Sequence, residues 1–141
     1  MNGPSVSARG RNLAVAWFQA KNDQPKAFVA FSSDSGRTFG KPIRLDTEGT
    51  LGRVDVEMLS DGSVAVAYID LTGNVAELRV RRVTPAGTLS APVGIATLAN
   101  NRSSGYPRMA VSGDEVVFAW VNRESGSSVR TASARLASGT R

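Results

Sequence analysis

The chain has 141 residues, 41% of them apolar and 21% charged, with a formal charge of +5, an ordinary composition for one globular domain and not that of a disordered segment. It contains neither cysteine nor histidine, which excludes a disulfide framework, a thiol nucleophile and every Ser-His or Cys-His pair, leaving carboxylate, Tyr, Lys or Arg chemistry. No run of about 18 apolar residues and no basic region leading into an apolar one is present, so neither a membrane span nor a signal peptide is expected.

The positive charge rests mainly on arginine, because only Lys21, Lys26 and Lys41 among the 17 basic residues are lysines. Such a balance suits a polyanion through counterion release or bidentate contacts. Here the arginines are scattered from Arg9 to Arg141 without interleaved aromatics, so nucleic acid is not the expected partner.

Taken in order, the chain repeats itself. Residues 3–17 read as a short strand, a tight turn at Gly10-Arg11-Asn12 and a second strand rich in Ala and Val that ends on Trp17. Extended stretches follow at 27–32 and 42–45. Residues 54–68 begin the same way, turning at Asp61-Gly62 and ending on Tyr68, with extended stretches at 77–83 and 92–96. Residues 106–120 turn at Gly113-Asp114 and end on Trp120, and 128–136 follow, leaving 137–141. The three aromatics recur at intervals of 51 and 52 residues. Asp-Gly at an apex is a hairpin signal, and four short antiparallel strands in about 50 residues make one propeller blade. The near-continuous apolar second strands fit sheets covered on both faces, and no window carries a helical period. The expected fold is all-β, a β-propeller arc of about three four-stranded antiparallel blades. It forms a single region, 1–141, with blades at 3–46, 52–97 and 105–136, the last incomplete.

Residues 32–39 read Ser32-Ser-Asp34-Ser-Gly36-Arg-Thr38-Phe39. In such a loop the Asp34 carboxylate can accept backbone N–H groups, Gly36 can take a positive φ, and Phe39 can tuck under the turn. The segment resembles the Asp-box, Ser-x-Asp-x-Gly-x-Thr-[Trp/Phe], of the sialidase superfamily of β-propellers, a structural motif whose five defining positions are matched by Ser32, Asp34, Gly36, Thr38 and Phe39. The second unit has only Thr84-Pro-Ala-Gly87-Thr88-Leu89 in that place. Val54-Asp-Val-Glu57 with Ser60-Asp-Gly62, and Ser104-Gly-Tyr-Pro-Arg108 with Val129-Arg-Thr-Ala132, resemble the last blades of bacterial sialidase-like proteins of unassigned function. The resemblance implies a periplasmic or secreted protein of around six blades. Its implied role is a binding scaffold for a glycan or an extracellular protein; the alternatives are a sialidase-like exo-glycosidase or an inactive fragment of a longer propeller. Three blades would leave a bare face at each end. Two arcs related by a two-fold axis would complete a six-bladed ring, so the expected partner is a second copy, in a homodimer.

Sialidases of this superfamily hold the substrate carboxylate in an arginine cluster and use a Tyr-Glu pair as nucleophile and base with an Asp as acid/base, near the central axis. The positions this implies here are Tyr106, Glu57 and Asp55 for catalysis and Arg53 and Arg108 for ligand binding. Asp55 and Glu57, two apart on a strand, are expected on one face, as a carboxylate pair would require; two arginines can hold an anionic sugar in bidentate fashion. The chain departs from the family pattern in lacking Arg-Ile-Pro. Asp55 aligns with Pro4 and Pro107, and Tyr68 shares its slot with Trp17 and Trp120 and is expected in the core. Asp70, Asn74 and Glu77 lack calcium-loop spacing and read as loop decoration, so no metal is expected, and no motif points to a cofactor. Arg79, Arg81 and Arg82 are expected along one wet face of an outer strand, and Asn22-Asp23 and Asn100-Asn101 as loop residues.

Overall fold

The computed structural model describes residues 3–101, 105–123 and 126–136; Met1, Ser104 and 137–141, considered above, lie outside them. Each repeat unit is one antiparallel sheet built from consecutive strands. The first holds β1 (Ser5–Arg9), β2 (Asn12–Lys21), β3 (Gln24–Ser32) and β4 (Ile43–Arg44) in that order. The second holds β5 (Thr50–Met58), β6 (Val64–Thr72), β7 (Val75–Val83) and β8 (Val93–Leu98). The third holds β9 (Arg108–Ser112), β10 (Glu115–Asn122) and β11 (Ser128–Arg135), in the order β11-β10-β9. No helix forms among the described residues. This is the all-β propeller arc expected from the repeat, with three strands in its last blade among the described residues.

The turns follow from residues that tolerate positive φ. β2 and β3 join through Asn22 and Asp23, at φ 54° and 56°, which form the two-residue loop of a hairpin, of the kind Asn and Asp favour. In the second unit Asp61 accepts hydrogen bonds from the Ser63 amide and hydroxyl, and Gly62 lies at φ 84°. This turn is one residue longer than those at Gly10-Arg11 and Gly113-Asp114, and the extra residue shifts the first strand. Asp55 pairs with Ala67, Ser5 with Ala16 and Arg108 with Ala119, so the counterparts of Asp55 are Ser5 and Arg108, not Pro4 and Pro107.

The sheets stack face to face. Calling the side of a blade that meets the next blade in the chain its forward face and the other its rear face, β2 and β6 set alanines forward, Ala14 and Ala16 or Ala65 and Ala67, and larger residues to the rear. Ala14, Ala16, Ala27 and Val29 pack on Val56, Met58, Val64, Val66 and Tyr68. Ala65, Ala67, Leu78 and Val80 pack on Met109, Val116 and Phe118. Tyr68 is buried, and burial pushes its hydroxyl up to about 12.

No ladder hydrogen bond joins one of these sheets to another; side chains of the innermost strands supply polar links along the inner edge. Ser7 Oγ accepts the Met58 amide at 2.9 Å. Ser5 Oγ accepts the Val56 amide at 3.3 Å and donates to Asp55 Oδ1 at 2.8 Å. Asp55 Oδ1 also accepts the Val56 amide at 3.1 Å, and Oδ2 accepts the Met109 amide at 2.8 Å. One buried carboxylate thus touches all three blades.

The second blade corrects the expectation for its charges. β7 lies inside the sheet, with β8 at the edge. Asp70 and Glu77 are cross-strand partners on β6 and β7, not loop residues, and both pair with Arg79. Burial pushes Asp70 up, and the Arg79 charge opposes that shift. Arg81 donates to the Leu45 and Ser90 carbonyls, and Arg82 is buried against Ser63 and Asp61. The three arginines stitch strands and turns together instead of forming a wet face.

Between β3 and β4, Asp34 organises the 32–39 loop. Oδ2 accepts the Thr38 hydroxyl at 2.6 Å, while Oδ1 accepts the Thr38 amide at 2.9 Å and the Ser32 hydroxyl at 2.8 Å. Ser35 and Gly36 take φ 62° and 82°. Phe39 is 45% exposed, and the tip of its ring meets the turn beside Leu13, with Phe39 Cζ 4.0 Å and Leu13 Cδ2 3.4 Å from where a Gly36 Cβ would stand.

Two outcomes are expected. The Thr38 hydroxyl, then its amide, then Ser32 hold the Asp34 carboxyl at about 2, below its ordinary 3.8. Its contribution to stability is therefore present above pH 3.8 and lost as pH falls towards 2. An NMR titration of the Asp34 carboxyl should show the midpoint near 2, and an unshifted midpoint would refute the loop geometry. Asp55→Ala strands the buried Met109 amide, leaves the Val56 amide to Ser5 Oγ alone, and should lower stability by about 2–4 kcal/mol in urea unfolding.

Candidate functional site

The beginnings of the three innermost strands meet at a cavity of about 460 Å³. Residues from Gly3 to Val6 line it from the first unit, Arg53 and Val54 from the second, and Tyr106, Pro107 and Arg108 from the third. Three of the five site residues implied by the sequence therefore come together here, and Asp55 and Glu57 stand outside the wall.

Arg53 reaches the cavity through a backbone irregularity. The pairing of β5 with β6 slips between Gly52 and Asp55, and the two consecutive residues Gly52 and Arg53 lie at φ 75° and 53°. A bulge of this kind re-aims a side chain, and a non-glycine residue in the left-handed region costs of order 1 kcal/mol or more. The Phe18 ring fixes the irregularity from below, since a Cβ on Gly52 would stand 2.6 Å from it. The Arg53 guanidinium lies 5.2 Å from the centre of the Tyr106 ring, within cation–π range, and donates to the Gly105 carbonyl. One side chain of the second blade is thereby bound to the third.

Arg108 differs from Arg53. Its side chain is 78% exposed, and its Nε lies 3.6 Å from Asp55 Oδ2, a long contact for an ion pair. The guanidinium remains accessible from the cavity, with Asp55 behind it setting its direction.

Asp55 and Glu57 share one face of β5, paired with Ala67 and Ala65, as their spacing implied. Asp55 is 2% exposed and spends both oxygens on Ser5, Val56 and Met109. Glu57 is partly buried. Burial first and the Asp55 charge second push its carboxyl up, while Arg108 pulls it down. Among the described residues no group of three or more Asp or Glu side chains is placed to hold a metal ion.

Two contributors escaped the sequence reading. Gly52 makes the irregularity that presents Arg53, and an isolated glycine within an apolar strand was the available signal. Ser5 anchors Asp55, and nothing in the sequence marked it.

No protein-family model matches the chain, and no curated protein matches it. Solved structures do. A thermostable family-43 glycoside hydrolase superposes with a TM-score of 0.61 at 14% identity, over 95% of this chain and 50% of that one. The Hadza microbial sialidase Hz136 superposes with a TM-score of 0.52 at 14% identity, over 96% of this chain and 34% of that one. The similarity is one of fold, propeller-type in both, and the chain spans half the length of the first and about a third of the second.

Gly52→Ala should be costly, because the new Cβ meets Phe18 and an alanine resists the positive φ. A loss of about 2 kcal/mol or more is expected in chemical denaturation; a neutral substitution would show that the irregularity is not held in place.

Proposed function

We propose that this chain is part of a sialidase-like β-propeller whose axial cavity binds an anionic glycan, with Arg53 and Arg108 receiving the acidic group and Tyr106 the sugar ring. In this reading Ser32, Asp34, Gly36, Thr38 and Phe39 are an Asp-box, a turn-closing motif without a part in binding. The observation that carries the proposal is the convergence of two guanidinium groups and one half-exposed aromatic ring on a single cavity. Guanidinium groups match carboxylates bidentately, and aromatic rings offer a flat apolar face with a polar tip.

Hydrolysis is the second reading, favoured by the place of Tyr106 in the cavity wall. It would assign Tyr106 as nucleophile, Glu57 as its base and Asp55 as acid/base. A general acid or base must reach the proton it moves, and Asp55 is buried with its oxygens already engaged, which is why binding is preferred. A third reading, an inactive portion of a longer propeller, accords with the short span relative to both hydrolases.

Calorimetric titration separates them. Sialyllactose should bind with a salt-dependent affinity and neutral lactose should not; Arg108→Ala should weaken binding at least about tenfold, or 1.4 kcal/mol. Equal binding of lactose would sink the anionic-glycan reading. Turnover of a 4-methylumbelliferyl sialoside that Tyr106→Phe abolishes would establish the hydrolase instead.

A further inference from the structure

The repeat lets the innermost strands be compared place by place. On their forward faces they carry Ser5 and Ser7, then Asp55 and Glu57, then Arg108 and Ala110, each set opposite the same two positions of the neighbouring strand. Ser5 and Ser7 each do two things. Their oxygens accept the Val56 and Met58 amides, and their hydroxyls donate to the carboxylates beside those amides, Ser5 to Asp55 at 2.8 Å and Ser7 to Glu57. Asp55 carries the pattern one blade further by accepting the Met109 amide. Glu57 has no counterpart to that bond among the described residues, and its carboxylate is left beside Arg108.

The charged groups that face Glu57 are Asp55 on its own strand and Arg108 on β9, while β1 presents the Ser7 hydroxyl and β6 presents Ala65. Arg108 Nε lies 3.6 Å from Asp55 Oδ2. One guanidinium group therefore serves two carboxylates, of which Asp55 is tied into the core by Ser5, Val56 and Met109 and Glu57 is not. Two carboxylates around one cation leave an excess of negative charge, the wrong sign for receiving an anion, and like charges at close range favour protonation of one of them. Burial and then the Asp55 charge hold the Glu57 carboxyl above its ordinary 4.5, against the pull of Arg108 and Ser7. An anion seated on Arg108 would weaken that pull and add a further negative charge. The chain contains no histidine, so no imidazole competes for the part.

We infer that Glu57 is a titratable counter-ion of Arg108, and that an anion enters the cavity together with a proton taken up by Glu57. The inference rests on the anionic-glycan reading of the cavity. With Glu57 ionised, the Arg108 charge is shared inside the protein. When Glu57 takes a proton from solvent, the guanidinium group is left to the ligand, still directed by Asp55. Glu57 does not line the cavity and Arg108 does, so Glu57 acts through Arg108 without touching the ligand. Arg53 exerts no pull on Glu57, and the linkage runs through Arg108.

Calorimetric titration with sialyllactose at about pH 5 and about pH 7, at one ionic strength, tests the linkage, because the carboxylate of the ligand is ionised at both. Binding should be about threefold or more tighter at the lower pH, within the limit of about tenfold per pH unit that one linked proton sets. Glu57→Gln should abolish the difference and bind at the higher pH as tightly as the unaltered chain does at the lower. The same variant removes any ambiguity from Asp70, the other carboxyl that burial pushes up, which pairs with Arg79 on β7. Equal affinity at the two pH values, weaker binding at the lower one, or a difference that survives Glu57→Gln would each overturn the proton linkage while leaving the glycan reading intact. Sialyllactose that binds at neither pH would overturn the glycan reading and this linkage with it. The ion pair itself is read without any glycan, by NMR titration of the Glu57 carboxyl: Arg108→Ala should raise its midpoint, and an unmoved midpoint would refute the pairing.

Discussion

Sheets that share no ladder hydrogen bonds must be positioned by what lies between them, and here that is a layer of interdigitated side chains pinned near its inner edge by one carboxylate. Apolar packing is non-directional and tolerates sliding, whereas the Asp55 contacts to Ser5 and to the Met109 amide fix both the height and the spacing of the three inner strands. The position of Arg108, the approach of Tyr106 to Arg53 and the shape of the cavity all follow from that placement.

The same arrangement separates the two acidic residues that look alike in sequence. Asp55 and Glu57 stand two apart on one face of one strand, yet the first is locked among amides and the second is partly exposed and opposed by its neighbour's charge. Proximity to an axis does not by itself make a carboxylate chemically available; the donors around it decide. A cavity lined by guanidinium groups, with its nearest carboxylate withdrawn into the core, is suited to receiving an anion.

Much of the architecture could be read from the chain because its signals are local. Aromatics about 51 residues apart, hairpin apices rich in Gly, Asn and Asp, and Val/Ala-rich central strands report which residues pair with near neighbours, and every sheet here pairs only consecutive strands. What escaped depends on register or on distant partners. One added turn residue between Met58 and Val64 moved Asp55 from alignment with two prolines to alignment with Ser5 and Arg108. The arginines of β7 looked like surface residues because strand alternation does not disclose that Asp70, Ser63 and the Leu45 carbonyl wait opposite them. Tyr106, Arg53 and Arg108 were placed together only through resemblance; the irregularity at Gly52 that brings Arg53 to the cavity is a matter of backbone angles.

The alternation of small forward and large rear faces gives the arc a direction and a hierarchy. Among the described sheets the second is packed on both sides, against the first and against the third. Stability along such an arc is a sum of nearest-neighbour terms. Of the two junctions described, a substitution in the first or third sheet alters one, whereas a substitution in the second can alter both. The second blade therefore carries the burden of both junctions at once.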